Sequence, residues 1–230
     1  MAPRIDHYTW AGGREALLRF GPDTGPAVVA ALPLFEEANR TRTFVVALLR
    51  ALAARGIAGL LPDVPGQNES VAPIERMTLA DMQVALAAVA PARPTYAIGI
   101  RSGALLDRRA GHRGRWYLSP QTGDALLRDL HRTWRAAGNS GGIDAMTAED
   151  PVEIAGNRLS GRLLSFLSAA APCAATDRPV RVVRLASDPA EADRKVDAAP
   201  LWRRSEPGDD PALVAMLADD IAAWIAACEA

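Results

Sequence analysis

The chain has 230 residues, a net charge of −1 at neutral pH and 23% charged residues, with 49% hydrophobic side chains. That size and mixture fit one soluble domain, residues 1–230, with enough apolar material for a substantial core. The near-zero charge gives no electrostatic reason to expect nucleic acid or an anionic membrane as partner. The positive charge is almost all arginine, Lys195 being the only lysine, and this reads as a base-composition bias, not as a binding signal. Two cysteines, Cys173 and Cys228, are too few for a disulfide framework and suit a reducing compartment. No stretch of secretory type opens the chain and no uninterrupted apolar run reaches membrane-spanning length, so the expectation is a cytoplasmic protein with no membrane insertion. A homodimer is the one assembly left open.

In chain order, Ala27–Leu34 is a continuous apolar run, as a strand covered on both faces should be. Thr43–Arg55 has helical periodicity and stops at Gly56. Ile57–Leu61 reads as the next strand. A capping box at Thr78–Asp81 opens a helix running to Ala90, before Pro91. Thr95–Ile100 is a short apolar strand followed by the turn Gly99-Ile100-Arg101-Ser102-Gly103 and a helix start. Arg115–Ser119 is a further strand, and Gln121–Ala137 an amphipathic helix with Leu126, Leu127, Leu130 and Trp134 on one face. Asn139–Asp150 reads as loop, Ser160 begins another apolar helix that Pro172 closes, and Pro179–Ala186 is a strand. Leu201–Arg204 is a candidate last short strand, and Asp210-Pro211 starts a terminal helix. Alternating strands and helices of this kind predict an α/β fold: a doubly wound, mostly parallel sheet with helices on both faces. Residues 120–175 are the place for a small helical cap.

Ligands of such sheets bind beyond the carboxyl ends of the strands. The turn after Thr95–Ile100 is therefore the centre of interest. Its spacing is that of the G-x-S-x-G nucleophile elbow, with Arg101 where the serine belongs. A guanidinium stays protonated in a protein and cannot attack a carbonyl. Ser102 stands one residue late and could serve only if the turn shifted. Asp188, after the strand 179–186, occupies the usual place of the acid. The base is missing: His7, His112 and His131 all precede Asp188, whereas the fold's order is nucleophile, acid, histidine. His112 falls at the wrong end of the sheet, and His131 lies on the cap helix.

Four segments together resemble an α/β-hydrolase family associated with exosortase A systems, the second of two hydrolase-like families found with that machinery. Leu32-Pro33-Leu34-Phe35-Glu36-Glu37-Ala38-Asn39-Arg40-Thr41-Arg42 is similar to its P-P-F-x-E-E-x-N-K-S-R segment. Asp63–Ser70 resembles the D-x-x-G-x-G-x-S turn general to α/β-hydrolases, with Asn68 in place of the second glycine. Gly99–Leu106 is similar to G-L-R-x-G-A-L-L, and Val152–Ser160 to V-E-V-A-G-Y-x-L-S. The resemblance spans about residues 28 to 225 and implies an α/β-hydrolase fold in which arginine at the elbow is the ordinary state. It implies no particular activity.

The candidate site residues are therefore Arg101, Ser102, Glu36, Glu37 and Asp188 for chemistry, with Phe35, Asn39, Arg42 and Trp202 around a ligand. Glu36 and Glu37 are expected on the oxyanion-hole loop. Three readings stay open: Arg101 closes the site by pairing with Glu36, Glu37 or Asp188; Arg101, with Arg40 or Arg42, receives an anionic ligand; or Glu36 or Glu37 acts as a general base. The ligand is expected to be a small acyl or anionic molecule. No cofactor is expected, since no phosphate loop or dinucleotide fingerprint occurs, and no metal, since no His/Cys/Asp cluster has ligand spacing. The first reading of function is a hydrolase site rebuilt around Arg101; the second is a non-catalytic binding or assembly module.

Overall fold

The computed structural model describes residues 3–89, 93–176 and 178–230. Eight strands form one sheet in the order β1-β2-β4-β3-β5-β6-β9-β10. These are β1 (Arg4–Trp10), β2 (Gly13–Phe20), β3 (Ala27–Ala31), β4 (Ala58–Pro62), β5 (Thr95–Ile100), β6 (Gly114–Leu118), β9 (Val180–Leu185) and β10 (Arg194–Val196). The β1–β2 hairpin is antiparallel and joins β4 antiparallel; every other pairing is parallel. A doubly wound, mostly parallel sheet is thus what the chain forms.

The sheet is covered on both faces because alternate side chains of its central strands face opposite ways. Val28, Ala30, Ile98, Ile100, Trp116 and Leu118 pack toward helices α1 (Glu36–Ala54) and α6 (Pro211–Glu229). Val29, Ala31 and Leu60 pack toward α2 (Leu79–Ala88) and the segment between β6 and β9. That segment contains α3 (Gly123–Ala136), α4 (Ile143–Ala148), the hairpin β7 (Val152–Ile154) with β8 (Asn157–Leu159), and α5 (Gly161–Leu167). By length and composition α6 could cross a membrane. Its Asp219-Asp220 interrupts the apolar run, and buried Asp220 accepts from Arg181, Arg194 and the Trp116 indole in the core.

Several elements differ from expectation. α1 begins at Glu36, seven residues before Thr43, so Glu36 and Glu37 occupy the first turn of a helix and not a loop. Carboxylates are favoured there by the helix dipole. The chain after the elbow forms two 3₁₀ turns, Arg101–Leu105 and Asp107–Arg109, in place of an α-helix. Leu201–Arg204 is no strand: Leu201–Arg203 is a 3₁₀ turn, and Arg194–Val196 takes the sheet edge beside β9. Residues 139–150 contain α4, expected as loop. The expected end of the α2 helix at Ala90 and Pro91 lies outside the described residues.

Candidate functional site at the elbow

β5 carries the chain to the top of the sheet and the elbow turns it sharply. Arg101 sits at the apex with φ 53°, in the left-handed region that costs a bulky side chain on the order of 1 kcal/mol or more. The two flanking glycines are required by packing. A Cβ on Gly99 would lie 2.8 Å from both Ala104 Cα and Tyr117 Cδ1, and one on Gly103 would lie 2.3 Å from the Ala31 carbonyl oxygen. The tight turn therefore has the left-handed apex and close-packed glycines that a nucleophile elbow needs, and it presents Arg101.

That group is held from several sides. Arg101 Nε and Nη2 donate to the two Glu37 carboxylate oxygens at 3.2 and 3.3 Å. A second carboxylate, Asp129 on α3, lies 3.6 Å from Nη2. The guanidinium carbon stands 4.8 Å from the centroid of the Trp202 ring, which is buried. Only 16% of the Arg101 side chain meets solvent. Burial raises the Glu37 pKa above the ordinary glutamate value, outweighing the opposing pull of the Arg101 charge and hydrogen bonds, and Asp129 reinforces the rise.

Ser102 is wholly buried, and its Oγ accepts a hydrogen bond from Leu34 N at 2.9 Å. The next amide, Phe35 N, donates to Gln67 Oε1 at 2.7 Å. In a hydrolase elbow an amide of this β3–α1 loop would face the oxyanion. Here both loop amides are taken by side chains. Ser102 is a support for the loop, not an exposed nucleophile.

The other expected residues divide clearly. Among the described residues, the carboxylates on Arg101 are Glu37 and Asp129. Asp188 instead accepts from Arg184 at 2.7 Å and from Ala190 N at 3.0 Å. Partial burial pushes the Asp188 pKa up, but the Ala190 amide and Arg184 more than offset it and hold the carboxyl below its ordinary value. Glu36 pairs with Arg40, whose other nitrogen donates to the Trp202 carbonyl at 3.1 Å. Arg42 pairs with buried Asp63 at 2.7 Å, so its charge is also occupied. His112 is at the opposite end of the sheet, with Nδ1 3.0 Å from the hydroxyl of Thr95, the first residue of β5. His131 lies 3.0 Å from the Gly141 carbonyl oxygen through Nε2 and stacks near Trp134.

A cleft opens beside the cluster. One compartment of about 120 Å³ is lined by Leu34, Phe35, Leu126, Leu130 and Ile154, with Glu37 and Asp129 on its wall. A second, of about 220 Å³, is lined by Asn39, Gln67, Asn68 and Gly66; both share Phe35, Glu36, Ala155 and Asn157. Phe35, Asn68 and Ala155 have positive φ, so three lining residues hold strained backbone at the cleft. Asp129, Gln121, Gln67 and Asn157 are site residues that the sequence reading passed over. Gln121 connects one of them to the elbow, donating to Asp129 at 2.6 Å while its backbone amide donates to the Arg101 carbonyl at 3.3 Å. Only Gln67 and Asn157 carried a signal, being inside the motif segments.

No family model and no curated protein matches the sequence. Among solved structures, the chain is similar to a haloalkane dehalogenase loop variant, DbeA-M1 from Bradyrhizobium elkanii, with 14% identity over 99% of this chain and 98% of that one, at a TM-score of 0.64. It is similar to Est1E from Butyrivibrio proteoclasticus at 14% identity, covering 97% and 98%, with a TM-score of 0.62. Against the epoxide hydrolase VrEH1 from Vigna radiata (19% identity, TM-score 0.42) the match covers 51% of this chain and spans 40% of that protein's length. The chain has the α/β-hydrolase fold. At such identities the likeness concerns the fold, and the chemistry has to be argued from the site.

Proposed function

We propose that this α/β-hydrolase-fold protein, of the exosortase-associated kind, holds a small neutral acyl ligand in the elbow cleft and performs no serine-based acyl transfer. The observation that carries the reading is the double occupation of the loop amides, Leu34 N by Ser102 and Phe35 N by Gln67. With the apex residue a paired cation and, among the described residues, no histidine hydrogen-bonded to Arg101 or Ser102, an acyl-enzyme has neither nucleophile, base nor oxyanion donor from that loop. The acyl class fits better than the anionic one, because Arg101 and Arg42 are already neutralised and the smaller compartment presents carboxylates beside apolar walls. Support for the family reading comes from where its motifs meet. Glu37 of the first segment grips Arg101 of the third, Arg42 of the first grips Asp63 of the second, and the fourth supplies Ile154, Ala155 and Asn157 to the same cleft.

A second reading has one observation behind it. Glu37 lines the smaller compartment with its pKa raised, as a general base acting directly on water would need. The two readings separate in one set of measurements on the full chain. A fluorophosphonate probe is expected to leave the protein unlabelled, p-nitrophenyl butyrate to be hydrolysed at the buffer rate, and butyramide to shift the amide resonances of Phe35, Glu37 and Asn157 more than butyrate does. Labelling that disappears in Ser102→Ala overturns the proposal. Turnover lost in Glu37→Gln and kept in Ser102→Ala establishes the second reading instead.

A further inference from the structure

A separate cavity of about 340 Å³ lies between the start of α2, the Asp107–Arg109 turn and α5, and it shares no lining residue with the elbow cleft. Arg108, Arg109 and Arg162 line it, and all three are exposed. None of them has a carboxylate partner among the described residues, although arginines elsewhere, such as Arg40, Arg42, Arg101 and Arg181, are tied to acids. Asp81, in the first turn of α2, is turned back on its own helix start, where it accepts from the Thr78 amide at 2.9 Å and from the Thr78 hydroxyl at 2.6 Å. The rest of the lining is mostly apolar, Leu79, Ala80, Phe166 and Ala169–Ala171, with Thr78 and Gln83 as its polar members; Phe166 is 56% exposed. The Arg162 guanidinium carbon stands 5.9 Å from the Phe166 ring centroid.

Three guanidinium groups around one cavity repel one another, and a bound anion offsets that repulsion. Guanidinium forks match the oxygens of a phosphate, and a dianion suits three cations better than a single carboxylate. An exposed ring on the wall adds a platform for a flat aromatic group. The volume lies at the lower end of the range, roughly 300–1,000 Å³, found for small-molecule sites. We propose that this cavity binds a phosphate monoester carrying a flat aromatic group, as in a mononucleotide, with Arg108, Arg109 and Arg162 on the phosphate and Phe166 against the ring.

The test is calorimetric titration of the full chain at low ionic strength with adenosine 5′-monophosphate, adenosine and inorganic phosphate. The monophosphate is expected to bind about tenfold tighter than inorganic phosphate, and adenosine to show no saturation. Arg108→Gln/Arg109→Gln/Arg162→Gln should abolish binding of both phosphates. Phe166→Ser should bring the monophosphate to the affinity of inorganic phosphate. Arg14→Gln/Arg50→Gln/Arg135→Gln, which removes the same charge from exposed positions outside the cavity, should leave both affinities unchanged. The proposal is overturned if the monophosphate shows no saturable binding, if adenosine binds as well as it does, or if the control triple variant loses as much affinity as the cavity variant.

Discussion

Replacing Arg101 by methionine keeps most of the side-chain volume and removes the charge that joins α1 to the elbow. The Glu37 contact at 3.2 Å is worth about 5 kcal/mol by Coulomb's law at an effective dielectric near 20, before desolvation. Burial takes back a large part of this, as the raised Glu37 pKa shows. Losing one partner of a buried pair costs about 3–5 kcal/mol, because the other charge stays behind. Glu37 is 21% exposed, so water relieves some of that and about 2–3 kcal/mol remains. The lost stack on Trp202 adds about 0.5–1 kcal/mol. Asp129 is less affected, since it keeps Arg132 and Gln121. Arg101→Met should therefore destabilise by about 3 kcal/mol, a fall in Tm of roughly 6–12 °C for a chain of this length. The double variant Glu37→Met/Arg101→Met should return to within about 1 kcal/mol of the parent, because neither charge is left unpaired. Urea unfolding at pH 7, followed by tryptophan fluorescence, measures all four corners of the cycle. A single variant within about 0.5 kcal/mol of the parent, or a double variant that equals the sum of the singles, would show that the pair does not close the site.

Arg101→Ser rebuilds the G-x-S-x-G sequence, yet it should remain unlabelled by fluorophosphonate and inactive on p-nitrophenyl butyrate. The loop amides stay occupied, and His112 and His131 are engaged elsewhere, with Thr95 and Gly141; covalent labelling at residue 101 would refute this. Ser102→Ala leaves the buried Leu34 amide without its acceptor and should cost about 1–3 kcal/mol in urea unfolding, whereas an unchanged midpoint would mean that the loop does not depend on it. The His112 imidazole has its pKa pushed down to about 4 by burial and then by the Arg115 and Arg178 charges. The folded chain thus favours neutral His112, a contribution fully present above pH 6.5 and lost as pH falls through about 4. The shift corresponds to about 3 kcal/mol. His112→Gln should flatten the stability–pH curve over that window, and parallel curves for parent and variant would refute the assignment.

The central strands were legible because a strand buried on both faces leaves an unbroken apolar run, as in Ala27–Ala31 and Thr95–Ile100. The N-terminal hairpin left no such mark. β1 is an edge strand with its first four residues exposed, and β2 alternates only partly, so neither stands out from loop. The start of α1 was hidden for another reason: Glu36, Glu37, Asn39, Arg40 and Arg42 interrupt the apolar periodicity where the helix reaches the site. The site itself was half visible. Motif spacing pointed to Arg101 and the two glutamates, but the choice of Glu37 over Glu36 depends on the helical phase of α1, which turns Glu36 toward Arg40. Asp129 could not be found at all, since its role depends on how α3 lies across the top of the sheet.

The surroundings of Arg101 form one tightly specified arrangement. The Leu34 and Phe35 amides each have a side-chain acceptor, at 2.9 and 2.7 Å. The arginine is held by carboxylates from two different helices and stacked on Trp202. The backbone also keeps its left-handed apex at φ 53° and both close-packed glycines. A strained apex persists only where the surroundings over-determine it. Here they do so through separate contacts, from α1, α3 and the Leu201–Arg203 turn, that all end on one side chain. A buried ion pair adds little net stability over a well-packed apolar substitute, so stability alone does not explain its presence. What it does supply is a polar wall of fixed geometry, with Glu37 lining the cleft and its charge matched by Arg101. A wall of that kind suits the neutral acyl ligand proposed for the cleft.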